Sequence, residues 1–270
     1  MSSPEQVQEK AISRDGTPVA FWRSGHGRPL VLVHGTSADH TRWQPVLGLL
    51  EADATVYAMD RRGRGDSGDT DAYSIEREFE DVAAVVDAVA EQTGEPIDVF
   101  GHSYGAVCSL EAARLTANIR TLVLYEPPAE PVPVPAGLVD RLGALLVAGR
   151  RDEVIETFFR EVVGMPDDQL PAFRALPAWQ ARVAAAHTVV RELAATNAVH
   201  FDPSRFAGLA VPTLLLSGSD SPAFLRNSTA TVAAALPNAQ TVVLAGQQHV
   251  AMDTAPQLVA DAVRAFLARA

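Results

Sequence analysis

A serine hydroxyl becomes a useful nucleophile when a base takes its proton and fixed donors meet the charge that builds on the attacked carbonyl. The pentapeptide Gly101-His102-Ser103-Tyr104-Gly105 has the form G-x-S-x-G. It follows Pro96–Phe100, which reads as a strand, and opens Gly105–Ala117, which reads as a helix with small residues along one side. A tight strand-to-helix turn holds such a serine in a strained backbone conformation and projects its hydroxyl from the sheet. Side chains at the flanking glycines would collide with neighbouring backbone. The helix that follows turns its N-terminus toward developing negative charge. The competing interpretation is an exposed serine in a glycine-rich turn, and the strand–turn–helix context weighs against it.

Two further segments have complementary chemistry. His34-Gly35-Thr36 follows the apolar run Leu30–Val33. From there the Thr36 amide, with the Tyr104 amide, is placed to meet the negative oxygen of a tetrahedral intermediate. His34 itself reads as a buried histidine that braces this loop. Gly246-Gln247-Gln248-His249-Val250 lies between the last strand and the last helix of the chain. Neutral imidazole is the natural base for a serine hydroxyl near pH 7, and His249 is the histidine in position to supply it. His26, His40, His102, His187 and His200 have no comparable position and receive no catalytic role.

Positioning these residues requires a particular order of elements. Val7–Arg23 reads as two strands around an Asp15-Gly16 turn. Leu30–Val33 and Ala54–Met59 read as strands, with a helical stretch over Ala38–Leu50 between them. Ser74 starts a helix that runs to Thr93, and Ile119–Tyr125 is another strand. The alternation stops at Glu126-Pro127-Pro128 and resumes at Thr213–Leu216, followed by a helix (Pro222–Leu236), a strand (Gln240–Leu244) and a last helix (Ala255–Ala268). Between these lie helices at Arg141–Ala148, Asp152–Val163 and Ala178–Ala195. The expectation is therefore an α/β core, residues 1–126 and 205–270, with a parallel sheet covered on both faces. An all-helical insertion occupies residues 127–204.

Composition narrows the function. The chain has 270 residues, 47% hydrophobic and 20% charged, which supports a sizeable core and argues against disorder. Its 33 acidic against 22 basic residues, net charge −11, and its lack of a Lys/Arg cluster argue against a nucleic-acid partner. The one cysteine, Cys108, excludes an internal disulfide and a cysteine-rich metal site. No metal site and no cofactor is expected, since Gly63-Arg64-Gly65 lacks the third glycine of a dinucleotide loop. Met1–Gln6 lacks the features of a secretory signal, and no apolar run has membrane-spanning length. The expectation is a soluble cytoplasmic enzyme with a small-molecule substrate and no membrane partner.

The elbow at Ser103, the His34-Gly35 loop, the segment Asp60–Ser67 and the late His249 together resemble the alpha/beta-hydrolase superfamily over nearly everything outside the insertion. The resemblance implies a mostly parallel eight-stranded sheet with the insertion as a cap over the active site. It makes Ser103 the nucleophile, His249 the base, and the Thr36 and Tyr104 amides the oxyanion hole. It implies a structural role for Asp60–Ser67.

The third triad member is ambiguous. Many relatives place an acid three residues beyond the glycine of the segment matching Leu216-Ser217-Gly218, where this chain has Ser221, with Asp220 one residue earlier. Asp220 otherwise reads as a residue at a helix start, with Ser221 as its N-cap. Other branches, certain haloalkane dehalogenases among them, place the acid at the position of Glu126. A carboxylate at the sheet edge, locked by two prolines, meets the geometry asked of an orienter, which tips the choice toward Glu126. Serine at position 103 favours acyl transfer over the reactions of aspartate-nucleophile relatives, because a serine ester is readily hydrolysed. A small, largely apolar carboxylic ester, thioester or lactone is expected, with Trp43, Phe158 and Trp179 as candidate pocket residues. A cofactor-independent lyase, cyclase or perhydrolase, or a receptor-like binding protein on the same scaffold, remains the alternative.

Overall fold

The turn at Asp15-Gly16 closes as expected: Gly16 adopts φ +88°, and its amide donates to the Ser13 carbonyl at 2.9 Å. It joins β1 (Val7–Ile12) to β2 (Pro18–Gly25). The computed structural model describes residues 6–130, 132–198 and 201–270. Met1–Glu5, where the absence of a secretory signal was read, and His200 lie outside them.

Next come β3 (Arg28–Val33), a 3-10 turn (His40–Trp43), α1 (Gln44–Leu50), β4 (Ala54–Met59) and α2 (Ile75–Thr93). β5 (Ile97–His102), α3 (Tyr104–Ala112) and β6 (Ile119–Tyr125) follow. The expected helix over Ala38–Leu50 is divided, with Pro45 in the first turn of the α-helical part. Ser74 occupies the N-cap position of α2 in extended conformation but makes no side-chain capping bond. Gly94 ends that helix at φ +71°, which glycine adopts without strain.

Among the described residues, five α-helices separate β6 from β7 (Thr213–Gly218): α4 (Leu138–Val147), α5 (Arg151–Phe158), α6 (Leu170–Arg174), α7 (Trp179–Ala184) and α8 (Ala186–Ala198). The helix read over Asp152–Val163 changes at Phe159 to a π-helical turn. The one read over Ala178–Ala195 breaks at Ala185, and α6 had no periodic signal of its own. Leu142, Val154, Ile155, Phe158, Trp179 and Val189 form a core for this segment separate from those of the sheet. Phe201 and Phe206 instead pack on a sheet cluster, as does Ala195 of α8. The chain closes with α9 (Ala223–Ala235), β8 (Ala239–Leu244), α10 (Ala251–Thr254) and α11 (Pro256–Leu267). Pro222, not Ser221, is the N-cap of α9.

The eight strands form one sheet in the order β1-β2-β4-β3-β5-β6-β7-β8. β1 and β2 are antiparallel additions, and every pairing from β4 to β8 is parallel. The short apolar runs are strands buried on both faces. Val31 and Val33 face the cluster under α2 and α3, while Leu30 and Leu32 face the one under α1 and α11. Each such side chain contributes roughly 1.5–3 kcal/mol on burial.

The topology brings the candidate residues together. β3 lies between β4 and β5, so the chain reverses its direction of travel across the sheet there, and a crevice opens beyond the carboxyl ends of the strands. The register aligns those ends: Val33 pairs with Gly101, His102 with Tyr125, Tyr125 with Leu216, and Gly218 with Leu244. The loops holding Thr36, Ser103, Glu126 and His249 therefore leave the sheet at one edge.

Candidate active site

Ser103 sits between the last residue of β5 and the first of α3 with φ 56° and ψ −126°, a left-handed conformation rare for a side-chain-bearing residue. The flanking glycines make the turn possible. A Cβ on Gly101 would lie 2.6 Å from Ala106 Cα, and one on Gly105 would lie 2.3 Å from the Val33 carbonyl oxygen and 2.4 Å from that of His34. Backbone cannot yield at those distances without moving β3 or α3. Gly105→Ala is expected to lower stability by roughly 1–3 kcal/mol. Thermal unfolding checks this, and an unchanged midpoint would refute the close-packed turn.

The loop after β3 lies against Ser103: a Cβ on Gly35 would come 2.9 Å from Ser103 Cβ. Ser37, buried, has φ 58° and adds a second left-handed residue to this loop. His34 is fully buried. Its Nδ1 is 2.8 Å from the Gly35 carbonyl, and its Nε2 accepts from the Arg61 amide at 3.2 Å. Burial, with the Arg64 and Arg61 charges, holds it well below the ordinary histidine pKa, and the neutral ring braces the loop. As the first residue of α3, Tyr104 has an amide with no partner in its own helix.

Glu126 follows β6 directly and is also left-handed, at φ 45°. Its carboxylate is fully buried. Oε1 accepts from the Gly218 amide at 2.8 Å, and Oε2 lies 2.7 Å from His249 Nδ1. A carboxylate oxygen accepts, so His249 Nδ1 donates, which makes Nε2 the acceptor in the neutral tautomer. Among the described residues no hydrogen bond or ion pair joins Asp220 to His249. It is exposed, its Oδ1 accepts from the Ser219 hydroxyl at 2.7 Å, and its amide donates to the Gln247 carbonyl at 2.9 Å.

The loop bearing His249 is tied down from three sides. His102 Nε2 donates to the His249 carbonyl at 2.9 Å. The Tyr125 hydroxyl donates to the Gln248 carbonyl and accepts from the Ala251 amide at 3.2 Å. Burial above all, with the nearby Arg42 charge, keeps the His102 pKa well below its ordinary value. The imidazole centroids of His102 and His249 are 4.6 Å apart, so His249 sits beside the residue preceding Ser103. Among the described residues no hydrogen bond joins Ser103 Oγ to His249. Catalytic contacts of this kind often tighten only when substrate binds. The structural part played by His102 went unread, although its place inside the pentapeptide pointed to it.

The candidate pocket aromatics have a different setting. Trp43 is fully buried in the core beneath α1, its ring centroid 4.9 Å from that of Phe100. Phe158 and Trp179 lie in the core of the helical segment, where Trp179 Nε1 donates to Asp152 Oδ1 at 3.0 Å. All three are buried members of core clusters.

Asp60–Ser67 is a hub of buried charge. Asp60 accepts from the His40 amide at 2.8 Å and the Asp66 amide at 2.9 Å. Arg61 forks onto Glu78 at 2.8 and 2.9 Å, reaches Glu192 of α8 at 2.7 Å, and lies 4.5 Å over the Tyr104 ring. Arg64 also bonds Glu192, and Arg62 forks onto Asp81 at 2.6 and 2.7 Å. Among the described residues there is no cluster of three or more His, Cys, Asp or Glu able to hold a metal ion, and no helix is long and apolar enough to cross a membrane. A larger cavity, of about 580 Å³ and lined by Arg28, Asp53, Asp98 and Arg264, opens at the opposite edge of the sheet and has no part in this site.

The arrangement holds an imidazole by a carboxylate beside a strained serine at the crevice of an α/β sheet. The family model described as alpha/beta hydrolase family matches residues 30–262. A solved alpha/beta hydrolase from Sphaerobacter thermophilus is 40% identical, with TM-score 0.84 over 96% of this chain and 100% of that one. The (E)-2-((N-methylformamido)methylene)succinate hydrolase of Acinetobacter baylyi is 24% identical over 92% of this chain and 93% of its own. An enol-lactonase from Burkholderia xenovorans, 21% identical, shares the fold at TM-score 0.77 over 96% of this chain and 100% of that one.

Proposed function

The chain belongs to the alpha/beta hydrolase family, and we propose that it is a serine hydrolase cleaving a small carboxylic ester, thioester or lactone through an acyl-enzyme. The observation that supports this most directly is the 2.7 Å contact of His249 Nδ1 with buried Glu126, at the sheet edge where Ser103 is held at φ 56°. In this reading His249 Nε2 takes the Ser103 proton as Oγ attacks the carbonyl carbon. The developing oxyanion is met by the amides of Thr36 and Tyr104. The imidazolium then protonates the leaving alcohol, and water attacks the acyl-enzyme by the same base. Glu126 fixes the tautomer and stabilises the imidazolium. The helical segment 127–204 caps the site, since Glu192 and Arg182 reach from it to the loops around Ser103.

Replacing Ser103 with Ala is expected to lower hydrolysis of p-nitrophenyl esters by about a thousand-fold or more. A fluorophosphonate should label the native protein at Ser103 and leave the variant unlabelled. Full hydrolysis by Ser103→Ala would instead point to a lyase or cyclase that needs no acyl-enzyme.

A further inference from the structure

Where the helical segment meets the loop after β3, a narrow void lies between Ala38, Asp39 and Arg42 on one side and Ala178 and Arg182 on the other. Two guanidinium groups border it, and their donors are incompletely used. Arg182, on α7, donates through Nη1 alone, to the carbonyl of Ser37 at 2.7 Å and to its hydroxyl at 3.0 Å. Its Nε and Nη2 have no hydrogen-bond partner among the described residues. Arg42 pairs through Nη1 with Asp253 at 2.7 Å, while its Nη2 is buried and unpartnered.

The charge balance leaves Arg182 in excess. Asp253 neutralises Arg42, and Asp39 spends its Oδ1 on the amide and hydroxyl of Thr41. Among the described residues no carboxylate forms an ion pair with Arg182, which lies 5.3 Å and 5.2 Å over the rings of Phe159 and Phe173. Burial and the neighbouring Arg42 pull its pKa down to about 10, against the milder pull of Asp39 and Asp253. Arg182 is only half-buried, and a cation without a counter-charge whose free edge is open in this way is positioned to meet an anion. The same two arginines also act on the charge state of His102, which precedes Ser103.

We propose that Arg182, with Arg42 beside it, binds a free carboxylate of the substrate, so that the preferred ester is the half-ester of a short dicarboxylic acid. This rests on the hydrolase reading above. A planar carboxylate accepts from two guanidinium edges at once, which a neutral acyl chain cannot do. Ser37, which Arg182 grips, is the residue after Thr36, so the carboxylate would lie a few bonds from the carbonyl under attack. The void itself has room for little more than a water molecule. A carboxylate is therefore accommodated only as the free edges of two long side chains swing onto it.

The test compares 4-nitrophenyl hydrogen succinate with 4-nitrophenyl butyrate. The wild-type protein is expected to favour the acidic ester in kcat/KM by about tenfold or more, the scale of one charge-assisted bond pair. Arg182→Met should erase the preference mainly through KM, and Arg182→Lys should keep part of it. The ratio of two esters within one preparation is insensitive to the fraction of folded protein. Arg42→Gln offers a second variant should Arg182→Met not fold. A wild-type ratio near one overturns the proposal, as does a ratio unchanged in Arg182→Met with both esters falling together, which would make Arg182 only a tether for Ser37. Calorimetric binding of succinate to Ser103→Ala, with and without Arg182→Met, needs no turnover. Succinate binding lost with Arg182, beside absent hydrolysis of both esters, would sink the hydrolase reading and leave the carboxylate site standing. Absent binding would sink the site.

Discussion

Glu126→Gln is expected to lower kcat by about 10³–10⁴-fold with little change in KM, while Asp220→Asn changes either by less than about twofold. The substitution keeps the shape of the side chain, so the loss is one of protonation. The Gly218 amide donates to Oε1 and selects the oxygen of the new amide for that position. The NH₂ group is then turned toward His249 Nδ1, which must become the acceptor. The proton moves to Nε2, the nitrogen that should receive the Ser103 proton, and the base is disabled. Asp220 faces solvent and bonds Ser219, so its neutralisation reaches nothing in the site. Steady-state kinetics on one activated ester, with circular dichroism to confirm folding, decide the matter. A large loss for Asp220→Asn and none for Glu126→Gln would reverse the assignment.

Glu192→Gln is expected to be the most destabilising single exchange of a charged residue, at about 3–5 kcal/mol, because it leaves a buried guanidinium without its counter-charge. For a chain of this size that corresponds to a fall of roughly 6–20 °C in Tm. Arg61 keeps Glu78, but Arg64 has Glu192 as its only ion-pair partner among the described residues, and all four side chains are about 1% exposed. The damage also reaches the site. Arg61 stacks on Tyr104 and donates to the His34 carbonyl at 3.3 Å, next to the two amides proposed to hold the oxyanion. Burial opposes the Glu192 charge, but Arg61 and Arg64 outweigh it and hold the pKa below the ordinary 4.5. A depressed carboxyl adds stability above its unfolded pKa, so this contribution is present at neutral pH and is lost as pH falls through the lower folded value. Exchanging Glu80, paired at the surface with Arg77, should move Tm by no more than about 1 °C. Equal shifts for the two exchanges would show that the buried cluster adds nothing.

How far these properties were legible in advance depended on their range along the chain. The strand at Ile119–Tyr125 matched residue for residue, because an apolar run between breakers is a local signal. The helices of the intervening segment matched less well. The π turn begins at Phe159, whose ring packs on that of Phe173 at 4.3 Å, a contact that no local period encodes. The Ser103 elbow was readable because its cause is steric and lies within five residues.

By itself the sequence determined the alternation of strands and helices, the place where it is interrupted, and the strained serine between two obligatory glycines. Each of these follows from neighbours in the chain. Only the tertiary structure decided which acid meets His249, that Trp43 belongs to the core, and that Glu192 and Arg182 reach from the helical segment to the loops around Ser103. The reason is distance: Glu126 and His249 are 123 residues apart, and Arg182 and Ser37 are 145 apart. Their meeting is set by the strand order and parallel register that bring the carboxyl ends of β3, β5, β6 and β7 to one edge.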